Sequence, residues 1–247
     1  MTARIDVVLV RPKEDGNVGA VARLARNFGA ERLVLAASRA RIGSEARRRA
    51  MSGLPLLRTA VRVGSFERAV ADADFVVGTT DLSTGRSNAY LRRSVSPERL
   101  GELVHSLDGR VALVFGPEDN GLSRDELLHC DLLVHIPARR DFPTLNLSHA
   151  VAIVLYAVHR ARGPADPETT PAPEAIELNG SEKELFLERL GQLLARTGYP
   201  AHKRRGLILL FRRVIGRATP SEAELRMMLG LFKSFGRALD RKEHGGK

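Results

Sequence analysis

The first candidate site is a glycine-containing turn that leads into a helix pattern. Residues Asn17–Arg23 have the sequence Asn-Val-Gly-Ala-Val-Ala-Arg and follow an apolar, strand-like run. Gly16 and Gly19 allow a tight backbone turn, and Asn17 is expected to cap the helix. The free N–H groups at such a helix start attract anions, and Arg23 on the same helix is placed to reach a phosphate or a ribose. The alternative, for so short a motif, is a surface arginine on an amphipathic helix.

The second candidate site is a polar loop that follows an apolar strand. Residues Leu113–Ser123 have the sequence Leu-Val-Phe-Gly-Pro-Glu-Asp-Asn-Gly-Leu-Ser. Ligands of open α/β sheets bind beyond the carboxyl ends of strands, where this loop is expected to lie. Gly116 leaves room for a cofactor to approach the backbone, and Glu118 is an acceptor for a ribose, an amino group or a neighbouring arginine. The alternative is an ordinary strand–turn–helix connection.

The third candidate site joins the end of another strand to the start of an apolar helix. Ile136 ends the strand, and Thr144–Ser148 open the helix pattern that continues through Ala157. Backbone groups flanking Leu145 and Leu147 are suited to bind the edge of an adenine while the two side chains cover its faces. Asn146 and Ser148 are alternatively simple helix caps.

These loops need a scaffold, and residues 1–162 have the pattern of an open α/β domain with a mostly parallel sheet. Short β-branched runs alternate with helix patterns, and several runs are apolar throughout, as in strands buried on both faces. Helices are predicted at Val18–Phe28, which ends at Gly29, and at Pro97–His105 after Ser96. The predicted strands are Ile5–Val10, Arg32–Ala36, Thr59–Val63, Phe75–Gly78, Val111–Gly116 and Leu132–Ile136.

A proline-rich linker over residues 163–180 is predicted to separate this domain from a basic helical domain over residues 181–247. The linker region contains four acids and no base, whereas the tail contains 15 bases and seven acids, a net charge of +8. Such a tail suits a polyanionic partner, and a solvated helical surface is the alternative. Its three predicted helices lie near Glu182–Arg196, Lys203–Ile215 and Ser221–Arg241.

The remaining composition excludes several classes of protein. Cys130 is the only cysteine, so an internal disulfide and a cysteine-based zinc cluster are excluded, and the histidines lack zinc-site spacing. No apolar run approaches the ~20 residues that span a bilayer. The N-terminus lacks the pattern of a signal peptide, so we expect a cytoplasmic protein with neither a metal nor a membrane partner.

Taken together, the three motifs resemble the signature of SPOUT-class, TrmH-like RNA 2′-O-ribose methyltransferases. The residues that carry the resemblance are Asn-x-Gly-x-x-Ala-Arg, Leu-Val-Phe-Gly-Pro-Glu-x-x-Gly-Leu and Ile-Pro followed by Leu-Asn-Leu-Ser, in that order. Within the class, the chain is most similar to the TrmJ group, which methylates cytidine or uridine 32 of tRNA. The resemblance implies a trefoil knot formed by the second and third motif regions. It also implies a homodimer whose active site is shared between the subunits.

The resemblance also implies roles for individual residues. The cofactor is S-adenosylmethionine, with expected contacts at Thr79, Thr80, Asp81, Gly116, Ile136, Thr144, Leu145, Asn146 and Leu147. Asn17 and Arg23 are expected to face the target ribose of a tRNA, and Arg86 is a further expected RNA contact. The expected catalytic set is Arg23, Asn17, Glu118 and Thr144.

A guanidinium group is a poor general base because its pKa lies far above neutral pH. We therefore expect Arg23 to position a phosphate and stabilise developing alkoxide charge, while the proton passes to phosphate, water or Thr144. Two alternatives stay open: the same chemistry on ribosomal RNA, and a non-catalytic, knotted RNA-binding or assembly factor. A generic nucleotide-binding protein lacks support, because the sequence has neither a phosphate-loop lysine motif nor a dinucleotide fingerprint.

Overall fold

Alternating strands and helices build the first of two structural units, which cover residues 1–175 and 176–247. The computed structural model describes residues 3–80, 94–139, 141, 144–161, 176–177, 180–218, 220 and 222–244. Asp81, Arg86 and most of the predicted linker therefore lie outside the described residues.

The strands of the first unit are β1 (Arg4–Val10), β2 (Arg32–Ala36), β3 (Val61–Val63), β4 (Phe75–Thr79), β5 (Leu107–Asp108), β6 (Arg110–Phe115) and β7 (Leu132–Val134). Its helices are α1 (Asp15–Asn27), α2 (Ser44–Ala50), α3 (Leu54–Arg58), α4 (Phe66–Val70), α5 (Pro97–His105), α6 (Arg124–His129) and α7 (Leu147–Ala161), with a 3-10 turn at Met51–Gly53.

Six of these strands form one sheet in the order β3-β2-β1-β6-β4-β7, and every pair is parallel. This arrangement confirms the predicted α/β class with a mostly parallel sheet. In the register, Val8 of β1 lies beside Val34 of β2 on one side and Val114 of β6 on the other. Because the strands are parallel, the loops that follow β1, β4, β6 and β7 all leave the sheet at one edge, its carboxyl edge.

Apolar side chains bury both faces of this sheet. Phe66 of α4 and Leu127 of α6 pack with Val8, Val34 and Val114 on one face. On the other side of the structure α1 packs against α2 and α7, and α5 packs against α7. Full burial of a side chain of this size contributes about 1.5–3 kcal/mol, so the core fixes the loops at the carboxyl edge.

Several predicted boundaries are wrong by a few residues, for local reasons. The strand predicted at Thr59–Val63 begins at Val61, because the N–H of Thr59 still donates to the carbonyl of Pro55 and closes α3. β6 ends before Gly116, and β7 ends at Val134, before Ile136. Gly116 and Ile136 therefore belong to loops at the carboxyl edge.

The predicted start of α1 is also wrong. The helix begins at Asp15, Glu14 holds the N-cap position, and Asn17 lies within the first turn and does not cap it. The physical reason is tertiary, since the carboxylate of Glu118 accepts from the N–H groups of Lys13 and Glu14. The end of the helix agrees with the prediction, because Gly29 follows it with φ +73°.

The second unit contains β8 (Ile176–Glu177) and the helices α8 (Gly180–Arg196), α9 (Ala201–Ala218) and α10 (Glu222–His244). Phe186, Leu190 and Leu194 of α8 are buried, and α9 and α10 each pack against α8. The three helices fall where the sequence pattern predicts them, with ends that differ by up to three residues. None of the described helices of either unit is long and apolar enough to cross a membrane.

Candidate active site

A cavity of about 400 Å³ opens at the carboxyl edge, between the loops that follow β4, β6 and β7. Its volume lies in the range of small-molecule sites. Of the expected cofactor contacts, it brings together Thr79, Thr80, Gly116, Ile136, Thr144, Leu145 and Leu147. Glu118 also lines it, whereas Asn146 is not among the residues that line it and Asp81 lies outside the described residues.

The loop after β6 folds back closely over the end of its own strand. A Cβ atom on Gly116 would lie 2.2 Å from the carbonyl carbon of Gly121 and 2.3 Å from the nitrogen of Leu122. The N–H of Gly121, which has φ +63°, donates to the carbonyl of Pro117 over 3.1 Å. Glycine is therefore required at position 116 by the shape of the loop that forms one wall of the cavity.

Glu118 anchors the start of α1. Its Oε1 accepts from the amide Nδ2 of Asn17 at 3.0 Å, and its Oε2 accepts from the backbone N–H of Lys13 at 3.0 Å. Burial favours the neutral acid, but the hydrogen bonds from Asn17 and from backbone N–H groups outweigh it and hold the pKa of Glu118 below its ordinary value. The carboxylate is thus ionised at neutral pH and bonded to motif one.

Asn17 connects all three motifs through its side-chain amide. Its Nδ2 donates to Glu118 of the second motif, and its Oδ1 accepts from Nδ2 of Asn146 in the third at 3.2 Å. Asn146 in turn accepts from the backbone N–H of Ser148 at 2.9 Å, so it also caps α7. The side chain of Asn17 is buried, with 3% of the residue exposed. We call this chain of hydrogen bonds, Asn17 to Glu118 and Asn17 to Asn146, the motif network.

The end of β4 is held by its neighbours on both sides. The hydroxyl of Thr79 donates to the carbonyl of Val114 at 3.1 Å, and the N–H of Thr80 donates to the carbonyl of Val134 at 3.0 Å. Nδ1 of His135 lies 3.2 Å from the carbonyl of Thr80. A carbonyl can only accept, so Nδ1 carries the proton in this bond. His135 lines the cavity, but a lone histidine after a strand has no sequence pattern that predicts such a position.

A second contact that the sequence did not predict connects the loop after β1 to α6. The guanidinium of Arg11, directly after β1, pairs with both carboxylate oxygens of Glu126. Glu126 also accepts from the N–H of Ser123, completing a capping box at the start of α6. Burial acts to raise the pKa of Glu126. The hydrogen bonds from Arg11 and Ser123 have the larger combined effect, so the pKa lies below the ordinary value of a glutamate. Arg11 has φ +49°, a backbone conformation that the sequence alone does not reveal.

The other expected catalytic residues lie at the rim or away from the cavity. Thr144 is exposed and lines the opening. Arg23 is exposed on α1 and is not among the described residues that line the cavity. Arg86 lies outside the described residues. Within the part of the chain that the structure describes, no group of three or more histidine, cysteine or acidic residues is arranged to hold a metal ion.

Comparison with known proteins places this geometry in a family. The model of the SpoU rRNA Methylase family matches residues 4–156, which include all three motifs. The chain belongs to the SpoU family. The family match ends within α7 and leaves the helical unit unaccounted for.

Similar proteins extend the match into that unit. A tRNA (cytidine-2′-O-)-methyltransferase TrmJ of Methanocaldococcus jannaschii is 33% identical over 234 residues, covering 94% of this SpoU-family chain and 100% of the relative. A tRNA (cytidine/uridine-2′-O-)-methyltransferase TrmJ of Pectobacterium atrosepticum is 33% identical, covering 95% and 97%. The crystal structure of TrmJ from Z. mobilis ZM4 superposes with a TM-score of 0.70 and 26% identity, covering 96% of this chain and 99% of that one.

Proposed function

We propose that this SpoU-family protein transfers a methyl group from S-adenosylmethionine to a ribose 2′-hydroxyl of tRNA. The observation that carries the proposal is the cavity at the carboxyl edge. It gathers the expected cofactor contacts Gly116, Ile136 and Leu145 beside the motif network. Three sequence segments that are far apart in the chain thus converge on one site.

The choice of tRNA as substrate rests on the helical unit and on the relatives. The family description mentions ribosomal RNA, but the relatives that match nearly the full length of this chain, helical unit included, are tRNA methyltransferases. Residues 181–247 carry a net charge of +8, which favours a phosphate-rich partner for this unit. The resemblance to the TrmJ group further suggests nucleotide 32 of the anticodon loop, and a cytoplasmic location accords with a tRNA substrate.

The residues of the cavity fit S-adenosylmethionine. Leu145, Leu147 and Ile136 offer apolar surface for an adenine, and the loop over Gly116 exposes backbone at the cavity wall. When bound, the cofactor supplies a methyl group on a positively charged sulfonium, and this chemistry needs no metal. Thr79, Thr80 and His135 hold the end of β4 in the wall, so this part of the site is formed before a ligand enters.

Within this mechanism the motif network positions groups and does not move protons. Glu118 is ionised and already accepts several hydrogen bonds, so its role is to fix the first turn of α1. Arg23 binds the phosphate beside the target ribose, where its charge stabilises the developing alkoxide. The hydroxyl proton passes to phosphate, water or Thr144 at the rim.

A second copy of the chain would complete the site. Arg23 is exposed and does not line the cavity of its own chain, which accords with action on a partner subunit. An apolar face suited to such a partner lies on α7, where Ile153 is 37% and Tyr156 is 54% exposed. The ring of Tyr156 also packs edge-on to Phe28 at the end of α1, with centroids 6.2 Å apart. We further propose the trefoil knot in the second and third motif regions.

Incubation with labelled S-adenosylmethionine and unmodified tRNA transcripts tests this function. We expect 2′-O-methylation at nucleotide 32, and a loss of roughly 100-fold or more in kcat for Arg23→Ala, as for removal of a group that stabilises an oxyanion. Arg26→Ala, an exposed arginine one turn further along α1, is the matched control and is expected to retain activity.

The other outcomes separate the alternatives. Methylation of another tRNA ribose would keep the chemistry and change the position, and transfer only to ribosomal RNA would replace the substrate. Calorimetric binding of S-adenosylmethionine without transfer to either RNA would favour the non-catalytic factor.

A further inference from the structure

A strongly basic surface lies next to the candidate site and has no part in the mechanism described above. Residues 39–50 contain five arginines and a single acid, Glu45. All five arginine side chains are exposed. We call this surface the arginine patch; it consists of Arg39 and Arg41 in the loop after β2 and Arg47, Arg48 and Arg49 on α2.

The position of the arginine patch follows from the sheet. β2 is the parallel neighbour of β1, so the loop that carries Arg39 and Arg41 leaves the sheet at the same carboxyl edge as the first motif. α2 packs tightly on the first half of α1: a Cβ atom on Gly19 would lie 2.1 Å from the carbonyl oxygen of Ala46. The patch is therefore held by rigid packing at the edge of the sheet where the cavity opens.

Arg49 brings the patch into direct proximity with the first motif. The position of a Cβ atom on Gly16 lies 3.2 Å from Cζ of the Arg49 guanidinium. Gly16 precedes Asn17, the central residue of the motif network. A polyanion seated on the patch would thus lie beside the residues that border the cavity.

Most of the positive charge of the patch is not neutralised within the described structure. Glu45 pairs with Arg48 at 2.8 Å and with Arg49 at 2.6 Å, so two guanidinium groups share one carboxylate. Arg39, Arg41 and Arg47 have no hydrogen-bond or ion-pair partner for their guanidinium groups among the described residues. Three guanidinium groups without a partner, together with two that share one carboxylate, give this surface a positive electrostatic potential.

We infer that the arginine patch binds backbone phosphates of the RNA strand next to the target nucleotide. The inference rests on the proposed function and extends it to a surface of the catalytic unit, in addition to the basic helical unit. The groups are spread over a loop and a helix on an open surface, which suits a chain of phosphates better than one small anion. Guanidinium forks match phosphate oxygens in pairs, and such contacts set affinity and register without reading sequence.

The test compares two triple variants of the full-length protein that remove the same charge. The patch variant carries Arg39→Ser, Arg41→Ser and Arg47→Ser. The control carries Arg4→Ser, Arg26→Ser and Arg58→Ser, three exposed arginines near the opposite, amino edge of the sheet. Their guanidinium groups also lack an ion-pair partner among the described residues.

Binding of a fluorescent, unmodified tRNA transcript is measured from 50 to 200 mM salt, and methyl transfer is measured at varied tRNA concentration. For the patch variant we expect tRNA affinity at low salt to fall about 10- to 100-fold and the slope of log K against log salt to shrink by about two to three. We expect the KM for tRNA to rise while kcat and S-adenosylmethionine affinity stay near wild type, because the motif network is intact. The control is expected to change tRNA affinity less than threefold.

Equal losses in the two variants, or a patch variant with wild-type affinity and salt slope, would overturn the inference. A fall in kcat at saturating tRNA without a change in tRNA affinity would also contradict the inference. The patch would then affect the reaction in the cavity and not the binding of RNA. Failure of the proposed function can be told apart from failure of this inference, because it appears in the wild-type protein. If wild-type protein binds tRNA without methylating it, the proposed activity is contradicted. The salt slopes of the two variants then still test whether the arginine patch binds RNA. Wild-type protein that binds no tRNA overturns both.

Discussion

At the scale of single residues, Asn17 shows how one buried amide can position several loops at once. An asparagine side chain offers a donor and an acceptor at once. Asn17 uses both, donating to Glu118 and accepting from Asn146. It is thus a positioning residue that sets the relative placement of three loops, whereas Arg23 is exposed on the same helix.

Replacing buried Asn17 by alanine is expected to destabilise the fold by about 1–3 kcal/mol, because Glu118 loses a donor and Asn146 loses an acceptor, both in part-buried hydrogen bonds. Urea unfolding measures this loss, and we expect kcat/KM for tRNA methylation to fall with it. Asn120→Ala is the matched control for stability alone, because Asn120 lines the cavity but, among the described residues, its amide donates to its exposed neighbour Asp119. If the two variants had equal stability, the motif network would have no structural role.

At the scale of elements, the site is produced by parallel strands that end side by side. The loop after β6 forms a wall of the cavity and also, through Glu118, holds the start of α1. Arg11 and Glu126 add a second connection between the loop after β1 and α6. Because the loops are joined to one another as well as to the sheet, displacement of one is expected to disturb the others.

Gly116→Ala tests this coupling. The added methyl would meet the backbone of Gly121 and Leu122, which cannot rotate away as a side chain can. The loop must shift, so we expect S-adenosylmethionine affinity, measured by calorimetry, to fall at least about tenfold, a free-energy change of about 1.4 kcal/mol.

Gly64→Ala is the control for this substitution. Gly64 lies in the loop between β3 and α4, and a Cβ atom there would meet nothing within 4 Å. Cofactor affinity in Gly116→Ala that equals that of Gly64→Ala would show that the cofactor does not depend on this loop.

At the scale of the whole molecule, we propose that the active site is shared between two chains. A mixture of Arg23→Ala and Gly116→Val subunits, refolded or exchanged together, contains heterodimers with one site in which both residues are intact. If Arg23 acts on the partner's cavity, the mixture should recover roughly a quarter of wild-type activity, because half of randomly paired C2 dimers are mixed and each holds one complete site.

Methyl transfer by the mixture is compared with that of each variant alone and with a mixture of wild type and Arg23→Ala. The absence of any recovery, with dimers demonstrated by sedimentation, would show that Arg23 serves the cavity of its own chain. A monomeric protein with full activity would contradict the shared site altogether.

Local patterns in the sequence were enough to predict the α/β class and the approximate positions of its strands and helices. The strand at Arg32–Ala36 was predicted with its observed bounds, since an apolar run with turn residues on both sides is a local property. The end of α1, which Gly29 follows, is equally local, because it depends on residues within one turn. The three motifs also identified most of the cavity wall, including Gly116, Leu145 and Leu147, and they predicted the family.

The tertiary structure alone decided how those residues are used. Asn17 has the sequence signature of a helix cap, yet its amide is bonded to groups 101 and 129 residues away along the chain. The pairing of Arg11 with Glu126 spans 115 residues, and His135 enters the wall only because β4 lies beside β7. Periodicity and capping depend on neighbours within a few residues. The strand order β3-β2-β1-β6-β4-β7, by contrast, results from packing of the whole sheet, and it determines which distant polar groups become partners at the carboxyl edge.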